Sequence, residues 1–503
     1  MATKSLYVTI PRKSGLAACL LLTLAAAACN TTESHRSLDR LHPCSSSEGP
    51  TDALCGTVTV FENRHTDIGR QIRLWVVVLP SLSSTASDDP LFFLAGGPGQ
   101  AAAQLASQIR GVFRQVQRTR DIVLVDQRGT GKSNPLNCRS SASSLREMTE
   151  GSSAALARLR RCLEGYDADV RLYTTDIAMD DLDDVRAFLG YDRINLYGGS
   201  YGTRAALVYL RQHGEHVRSI VLDGVAPTNM RLPLFTARDA QHALDKALTD
   251  CEAESACNQT FPEMASRIRT LITSLDQHPR HVRIVHPRTG IAEEVDVDAR
   301  LVSSVIFSAL YSPLTASIVP ALVDRAEKDD FQGLFALALA GEDAGENMSI
   351  GMQLSVLCSE DASRVSPAEL AHQTSKSVFG AHLIGSQLDA CAMWPKGTVN
   401  ADYYRPVKSD VPVLVLSGEV DPVTPPVWGE SVVRHLSHGK HIIVPSTGHG
   451  VVMTPCGNRV VSDFIEHGSV DGLDADCVGD VRRPPFFITP AGPDPAEGDS
   501  VPR

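Results

Sequence analysis

The sequence predicts an α/β fold with a mostly parallel central sheet. Short apolar segments alternate with helical segments through residues 56–222, as in sheets whose parallel strands are joined by helices. The same alternation returns over residues 411–467, whereas residues 228–405 are mainly helical. We therefore predict one sheet that is interrupted by a mainly helical cap, inserted after the sixth core strand.

The first six strands are predicted from apolar runs rich in β-branched residues. They cover residues 56–62, 70–79, 90–95, 121–125, 193–197 and 219–222. Helical segments are predicted at residues 101–118, 141–165 and 176–189, and from the turn after the fifth strand to about His213. Four glycine-rich or polar loops carry candidate functional groups, and each follows the carboxyl end of a predicted strand, where parallel sheets place their sites.

The second half of the chain completes the sheet after the cap. A hairpin is predicted at residues 282–297 with its turn at Thr289–Gly290, and strands are predicted at 411–416 and 440–444. Helices are expected at 426–436 and 458–467. The predicted division is a signal peptide at 1–28, core at 29–227, cap at 228–405, core at 406–483 and an irregular proline-rich tail at 484–503.

Composition excludes several classes of function. The chain has 503 residues, of which 43% are hydrophobic and 21% charged, so it can bury a sizeable core. Its net charge is −12, and basic residues are interspersed with acidic ones instead of forming a stripe. Nucleic acid binding requires clustered positive charge. We therefore expect no nucleic acid partner.

The N-terminus predicts export. Three basic residues precede an apolar run from Leu16 to Ala28 that ends in small residues, as in a secretory signal peptide. This run is shorter than the roughly 20 residues that span a bilayer, so no integral membrane span is expected. Cys29 follows the small residues and is the candidate for a lipid anchor, although the usual leucine three positions earlier is replaced by Ala26. The protein is thus predicted to be a periplasmic or cell-envelope lipoprotein, or to be secreted.

Cysteine usage agrees with an oxidising compartment. Ten cysteines follow Cys29, an even number that falls into sequential neighbours. No CxxC or paired-histidine spacing favours zinc, so no metal is expected. Connectivity does not follow from the sequence, and pairing of neighbours is our hypothesis: 44–55, 138–162, 251–257, 358–391 and 456–477.

The strongest chemical motif is Gly198-Gly199-Ser200-Tyr201-Gly202. It lies between a predicted strand and a predicted helix, the position of a nucleophile elbow, in which glycines flank a serine in a turn too tight for larger side chains. The helix behind the serine stabilises negative charge at its N-terminus. The alternative is a glycine-rich turn that only packs a helix on a strand. We predict Ser200 as a nucleophile.

A serine nucleophile requires a base and an acid that orients the base. Asp421 follows the strand that ends near residue 416, and His449 follows the strand that ends near residue 444. The chain order serine, acid, histidine matches the order found in folds with this elbow. Glu419 is the rival acid, and we prefer Asp421 because Pro422 favours a fixed turn. A surface loop is the alternative role for His449.

Acyl transfer also requires donors for the developing oxyanion. The backbone N–H of Tyr201, directly after the nucleophile, is one predicted donor. The second is Gly97 in the turn Gly96-Gly97-Pro98-Gly99, because Pro98 has no N–H. The alternative is a simple chain reversal. This turn also imitates a dinucleotide fingerprint, but a dehydrogenase would leave the serine, aspartate and histidine unexplained, so no cofactor is expected.

Several motifs in order resemble the secreted tripeptidyl aminopeptidases, and more broadly the proline iminopeptidase-like branch of the α/β-hydrolases. They are AGGPGQ at 95–100, DQRGTGKS at 126–133, GGSYGT at 198–203, LDGVAP at 222–227 and the loops of Asp421 and His449. The resemblance covers about residues 53–478. It implies a serine exopeptidase that releases short pieces from free peptide N-termini, with a Ser200, Asp421 and His449 triad under a helical cap. Ala95 departs from the histidine that iminopeptidases usually carry there.

An aminopeptidase must hold a charged amine, because desolvating an unpaired ammonium is costly. Glu360 and Asp361 of the cap are our candidate substrate-binding residues, since a Cys358–Cys391 bond would pin their loop. The alternative is that these acids solvate a surface loop. For the whole chain, the alternatives are a carboxylesterase of the same fold and a non-catalytic cell-envelope binding protein on a hydrolase scaffold.

Overall fold

A nine-stranded sheet organises the part of the chain that the structure, a computed structural model, describes: residues 37–138, 145–345, 348–489 and 492–493. Its strand order is β1-β2-β3-β5-β4-β6-β7-β10-β11. The strands are β1 (His42–Pro43), β2 (Leu54–Phe61), β3 (Gln71–Leu79), β4 (Leu91–Leu94), β5 (Ile122–Val125), β6 (Ile194–Gly199), β7 (Val217–Asp223), β10 (Val413–Gly418) and β11 (Gly439–Val444), and a separate hairpin holds β8 (Arg280–Val285) and β9 (Ala292–Val297).

The sheet is mostly parallel, as predicted. Strands β5, β4, β6, β7, β10 and β11 pair in parallel, and β1, β2 and β3 form an antiparallel edge. The two-residue strand β1 was not predicted, because two residues carry no periodic pattern. The insertion therefore follows the seventh strand of the sheet instead of the sixth.

Helices cover both faces of the sheet. Before the insertion they are α1 (Ala106–Val112), α2 (Arg114–Gln117), α3 (Leu145–Met148), α4 (Ser152–Gly165), α5 (Thr175–Phe188) and α6 (Tyr201–His213). Within it they are α7 (Thr236–Ala253), α8 (Ser255–Thr260), α9 (Met264–Gln277), α10 (Ala299–Ala309), α11 (Pro313–Ala316), α12 (Val319–Ala326), α13 (Gln332–Gly345), α14 (Ile350–Val356), α15 (Pro367–Thr374) and α16 (Gly385–Met393). After it come α17 (Pro426–Val433) and α18 (Pro455–His467).

Strand β3 shows why two layers of helices are needed. Its side chains alternate between the faces of the sheet, as strand geometry dictates. Leu74, Val76 and Val78 enter the apolar cluster beneath α5 and α6, whereas Val77 and Leu79 enter the cluster beneath α1 and α18. A strand buried on both faces is apolar at nearly every position, which is why the sequence pattern identified it.

The insertion, defined here as residues 228–405, has an apolar cluster of its own. Side chains from α7, α9, α10, α12 and α13 meet there. Phe486 from the C-terminal segment is buried in the same cluster, and its N–H donates to the Glu254 carboxylate at 2.9 Å. The start of the tail is irregular, as predicted, but it packs on the insertion. The rest of the tail, at 490–491 and 494–503, lies outside the described residues.

All five hypothesised cysteine pairs are disulfide bonds in the structure: Cys44–Cys55, Cys138–Cys162, Cys251–Cys257, Cys358–Cys391 and Cys456–Cys477. Multiple disulfides are consistent with an exported protein. Within the described part of the chain, no helix is both long and apolar enough to cross a membrane. The predicted signal peptide at 1–28 and the anchor candidate Cys29 lie outside the described residues.

Candidate active site

Ser200 stands at a strained turn between β6 and α6. Its φ is +57°, in the left-handed region that residues other than glycine rarely adopt. The flanking glycines allow this turn, because a methyl group on Gly198 would collide with the Gly202 carbonyl and one on Gly202 with the Leu94 carbonyl. The sharp turn holds the serine at the carboxyl end of the sheet, in front of the helix N-terminus.

Asp421 and His449 meet across two loops at the same end of the sheet. The His449 Nδ1 lies 2.7 Å from the Asp421 Oδ2, and the Asp421 side chain is fully buried. The other carboxylate oxygen of Asp421 accepts the N–H groups of Val423 and Thr424, both at 2.9 Å. The Thr424 hydroxyl donates to Asp421 Oδ2 at 2.8 Å. The carboxylate is thus fixed in position and aimed at one imidazole nitrogen.

The end of β7 connects the serine loop with the histidine loop. The Ser200 N–H donates to the Asp223 carbonyl at 2.9 Å. The Asp223 carboxylate accepts the N–H groups of Val451 and Val452, just after His449, at 2.9 and 2.8 Å. Among the described residues no hydrogen bond joins the Ser200 hydroxyl to His449, a contact that often tightens only when substrate binds.

The protonation of this pair follows from opposing effects. Burial by itself lowers the pKa of His449, but the charge and hydrogen bond of Asp421 outweigh it, and the pKa lies above its ordinary value. For Asp421, burial raises the pKa, but His449 and the backbone N–H donors outweigh it and the pKa is lowered. The carboxylate therefore stays ionised beside an imidazole that can take up a proton.

The two predicted oxyanion donors belong to Tyr201, which follows Ser200 in the chain, and to Gly97 in the glycine-rich turn after β4. Gly96, next to Gly97, lies so close that a methyl group there would come within 3.2 Å of the Ser200 Cβ. Among the described residues, neither the Gly97 N–H nor the Tyr201 N–H has a hydrogen-bond partner. The predicted oxyanion donors are therefore both free, and Gly97 takes a φ of +108° that favours glycine.

The substrate-binding role predicted for Glu360 and Asp361 does not fit the structure. Both are completely buried in a one-turn π-helix, Leu357–Asp361, and face the nucleophile helix instead of a cleft. Asp361 is paired with Arg204 of α6 at 2.6 Å. Glu360 accepts the Thr175 N–H at 2.7 Å and is also hydrogen-bonded by the Tyr403 hydroxyl. Burial raises the pKa of Glu360 to about 7, although Arg204 opposes this shift.

Glu419, the rival acid, points away from the histidine. Its carboxylate accepts the Ser446 N–H at 3.0 Å, so Asp421 is the acid that the structure brings to His449. Sequence reasoning overlooked Asp223 and Thr424. Asp223 lies in the LDGVAP motif, which supports only the family resemblance. Thr424 is three residues after Asp421, a spacing at which a side chain can form a hydrogen bond within a turn.

One group of potential metal ligands occurs within the described residues, away from these loops. Asp183, His213 and His216 approach one another on the outer side of α5 and α6. Arg186 already binds both oxygens of the Asp183 carboxylate, at 2.6 and 3.1 Å. A cation would have to share this carboxylate with a guanidinium, so the donor set does not favour a metal.

Comparison with known proteins gives two family matches and several relatives that match over most of their length. A family described as alpha/beta hydrolase fold matches residues 89–256, and a family described as TAP-like protein matches residues 376–477. Serine protease Hip1 of Mycobacterium tuberculosis is 26% identical over 86% of this chain and 90% of its own length. Tripeptidyl aminopeptidase of Streptomyces coelicolor is 25% identical over 85% and 83%, and carboxylesterase B of Mycobacterium tuberculosis is 28% identical over 84% of each chain.

The two family matches fall on the two parts of the sheet that the insertion separates. The first covers the elbow of Ser200, and the second covers the loops of Asp421 and His449. The strand order, the elbow and these matches agree with one another, and they confirm the fold and the family that the motifs indicated. The chain is a TAP-like α/β-hydrolase.

Proposed function

We propose that this protein is an exported serine aminopeptidase that releases short peptides from free N-termini through an acyl-enzyme. Ser200 is the nucleophile, His449 the general base and acid, and Asp421 the group that orients His449. The observation that carries the proposal is the 2.7 Å contact of Asp421 with His449 at the end of the sheet that also holds Ser200.

The first half of the reaction transfers the acyl group to the enzyme. The Ser200 Oγ attacks the scissile carbonyl carbon while His449 Nε2 takes the hydroxyl proton. The N–H groups of Gly97 and Tyr201 stabilise the oxyanion that forms. When the C–N bond breaks, His449 returns the proton to the leaving amine, and the acyl group remains on Ser200.

The second half releases the short peptide. Water attacks the acyl-enzyme while His449 takes its proton, the ester bond to Ser200 breaks, and His449 returns the proton to the Ser200 oxygen. Throughout both halves Asp421 stays ionised and stabilises the imidazolium, in keeping with its lowered pKa. This chemistry needs no metal and no cofactor.

The peptide substrate is supported by the relatives named for protease and tripeptidyl aminopeptidase activity. Export is supported by the five disulfides. A carboxylesterase is the second candidate, because one relative of similar coverage bears that name and the same catalytic groups cleave esters.

A substrate panel separates the two activities. Purified protein is assayed on a tripeptide amide with a free N-terminus, on its N-acetylated form and on short-chain esters. Charge-assisted hydrogen bonds are each worth about 1.5–3 kcal/mol, so losing two with the ammonium should cost at least about a hundredfold in kcat/KM. Equal rates on the free and acetylated peptides, or a preference for esters, would favour the carboxylesterase.

Active-site labelling tests the nucleophile in the same material. A fluorophosphonate probe should label the wild type at Ser200 and should not label Ser200→Ala. A protein that neither reacts with the probe nor turns over any substrate of the panel would instead be the non-catalytic binder.

A further inference from the structure

The insertion reaches the catalytic histidine through Tyr311, which follows α10. The His449 N–H donates to the Tyr311 carbonyl at 2.8 Å. The two backbones are so close that a methyl group on Gly448 would collide with the same carbonyl oxygen. The backbone of the histidine loop is therefore held by the insertion as well as by the sheet.

The Tyr311 ring continues this contact with the side chain of His449. The ring packs edge-on against the imidazole, with centroids 5.2 Å apart and planes at 74°. The same ring also packs edge-on against Phe307, with centroids 5.4 Å apart and planes at 84°. Held between these rings, the phenol has a defined position beside the imidazole, and it shields that imidazole from water.

The Tyr311 side chain is partly exposed, and its hydroxyl is available for a hydrogen bond. Tyr311 is 37% exposed, although neighbouring residues of α10 such as Ile306 and Ala309 are buried. Within the described residues its hydroxyl forms no hydrogen bond. At neutral pH a tyrosine hydroxyl is protonated, so it can act as a neutral donor. A tyrosine hydroxyl usually has a hydrogen-bond partner when it is buried, and a bound substrate would bury this one.

We propose that Tyr311 is a substrate-binding residue of this site, whose hydroxyl donates a hydrogen bond to a carbonyl group of the bound peptide and whose ring positions His449. This inference rests on the proposed function. A peptide offers the acceptor that the free hydroxyl lacks, and the reacting bond must lie next to His449 because that residue transfers the proton.

Tyr311→Phe isolates the hydroxyl. The ring and both backbone contacts are kept, so kcat should stay within about twofold, while KM for the free tripeptide should rise about three- to tenfold, the range for one neutral hydrogen bond. Tyr404→Phe is the matched control, because Tyr404 is also a half-exposed tyrosine and packs on Arg364. It should leave both constants unchanged. A wild-type KM in Tyr311→Phe overturns the proposal.

Tyr311→Leu isolates the ring. The titratable groups that face His449 are Asp421, Asp223 and Tyr311, of which only Tyr311 is changed, and the neutral Thr424 hydroxyl at 3.2 Å from Nδ1 is kept. Without the ring, water reaches the imidazole and weakens the desolvation that lowers its pKa, so the acid limb of the kcat/KM profile should move to higher pH. The kcat should fall about tenfold as the imidazole loses its restraint. A loss of activity with an unmoved profile would indicate a merely structural role and overturn the proposal.

Two controls separate this inference from the proposed function. The melting temperature of each variant shows that it is folded, and fluorophosphonate labelling counts its competent sites. If Ser200→Ala retains activity, the proposed function fails whatever Tyr311 does. If Ser200→Ala is inactive and both Tyr311 variants behave as wild type, only the inference on Tyr311 fails.

Discussion

The structure holds two buried pairs of an acidic and a basic side chain, Asp421 with His449 and Asp361 with Arg204, and they differ in how far the basic side chain is exposed. Asp421 meets His449 at 2.7 Å in loops at the edge of the sheet, and 15% of the histidine side chain is exposed. Asp361 meets Arg204 at 2.6 Å beneath the insertion, and neither side chain is exposed at all. The distances are nearly equal, so distance does not distinguish a catalytic pair from a structural one.

The nature of the base makes the difference. Histidine titrates near neutral pH and has a second ring nitrogen that can face a substrate, whereas arginine stays charged and cannot transfer its proton. Arg204 also donates to the Met230 carbonyl at 2.9 Å, which ties the nucleophile helix to the start of the insertion. We infer that the Asp421–His449 pair acts in turnover. The Asp361–Arg204 pair holds the insertion on α6, the helix that begins directly after Ser200.

The largest expected effect is on turnover, when the nucleophile or the histidine of the first pair is removed. Ser200→Ala and His449→Ala should each lower kcat by about 10⁴-fold or more, and the double variant should be little worse, because triad members act as a unit. Steady-state kinetics and thermal melting check this, with Glu419→Ala as the active control. Near-normal turnover in Ser200→Ala would contradict the mechanism.

The next largest effect is expected on stability, when the second pair, Arg204 with Asp361, is broken. Arg204→Met should lower the free energy of unfolding by about 3–5 kcal/mol, because it removes the fully buried cation beside Glu360 and Asp361 and leaves Asp361 only the partly exposed Arg364. The double change Arg204→Met with Asp361→Leu should recover part of this loss. Denaturant unfolding measures both, and Arg405→Ala, in a pair with Asp402 whose side chains are mostly exposed, is the control that should change little. Wild-type stability in Arg204→Met would remove the contrast between the pairs.

A disulfide next to each pair sharpens the comparison. Cys456–Cys477 lies in and beyond α18, just after His449, and Cys358–Cys391 adjoins Glu360 and Asp361. Replacing either bond by two alanines should cost about 2–4 kcal/mol of stability. Only the loss of Cys456–Cys477 should also lower kcat at temperatures where the protein is still folded. Equal losses of kcat in the two variants would contradict the separate roles.

The smallest effects are those of pH, and they should differ between His449 of the first pair and Glu360, the neighbour of Asp361 in the second. The pKa of His449 is raised, so kcat/KM should fall about tenfold per unit below a pKa that lies above 6.5. The pKa of Glu360 is raised from 4.5 to about 7, so its contribution to stability is complete below pH 4.5 and is lost as the pH rises to 7.

Glu360→Gln isolates that second titration. The contribution of His449 to the free energy of unfolding also decreases as the pH rises, because the pKa of His449 is raised as well. Unfolding free energies of wild type and Glu360→Gln from pH 4 to 8 should therefore differ in slope between 4.5 and 7. Parallel curves would show that Glu360 does not titrate in this range.

Much of this architecture follows from local sequence. The central strands of the parallel sheet, such as β4, β5 and β10, are apolar runs because they are buried on both faces. The elbow of Ser200 is marked by glycines that its turn requires. The loops of Asp421 and His449 could be placed because they follow such strands, and parallel strands present their carboxyl ends at one edge. The cysteine pairs were neighbours in the chain, so even connectivity agreed with a local hypothesis.

The tertiary structure alone decided what the insertion does. Nothing local distinguishes an acid that lines a cleft from one that meets an arginine 157 residues away, and so Glu360 and Asp361 were assigned to the substrate although they bind the nucleophile helix. The approach of Tyr311 to His449 joins residues that no periodicity relates. The sequence by itself determined the sheet and the candidate triad, because strands, helices and the loops between them depend mainly on residues that are close together in the chain. Contacts between the insertion and the core depend on how two separately buried surfaces meet, and only the folded chain specifies that.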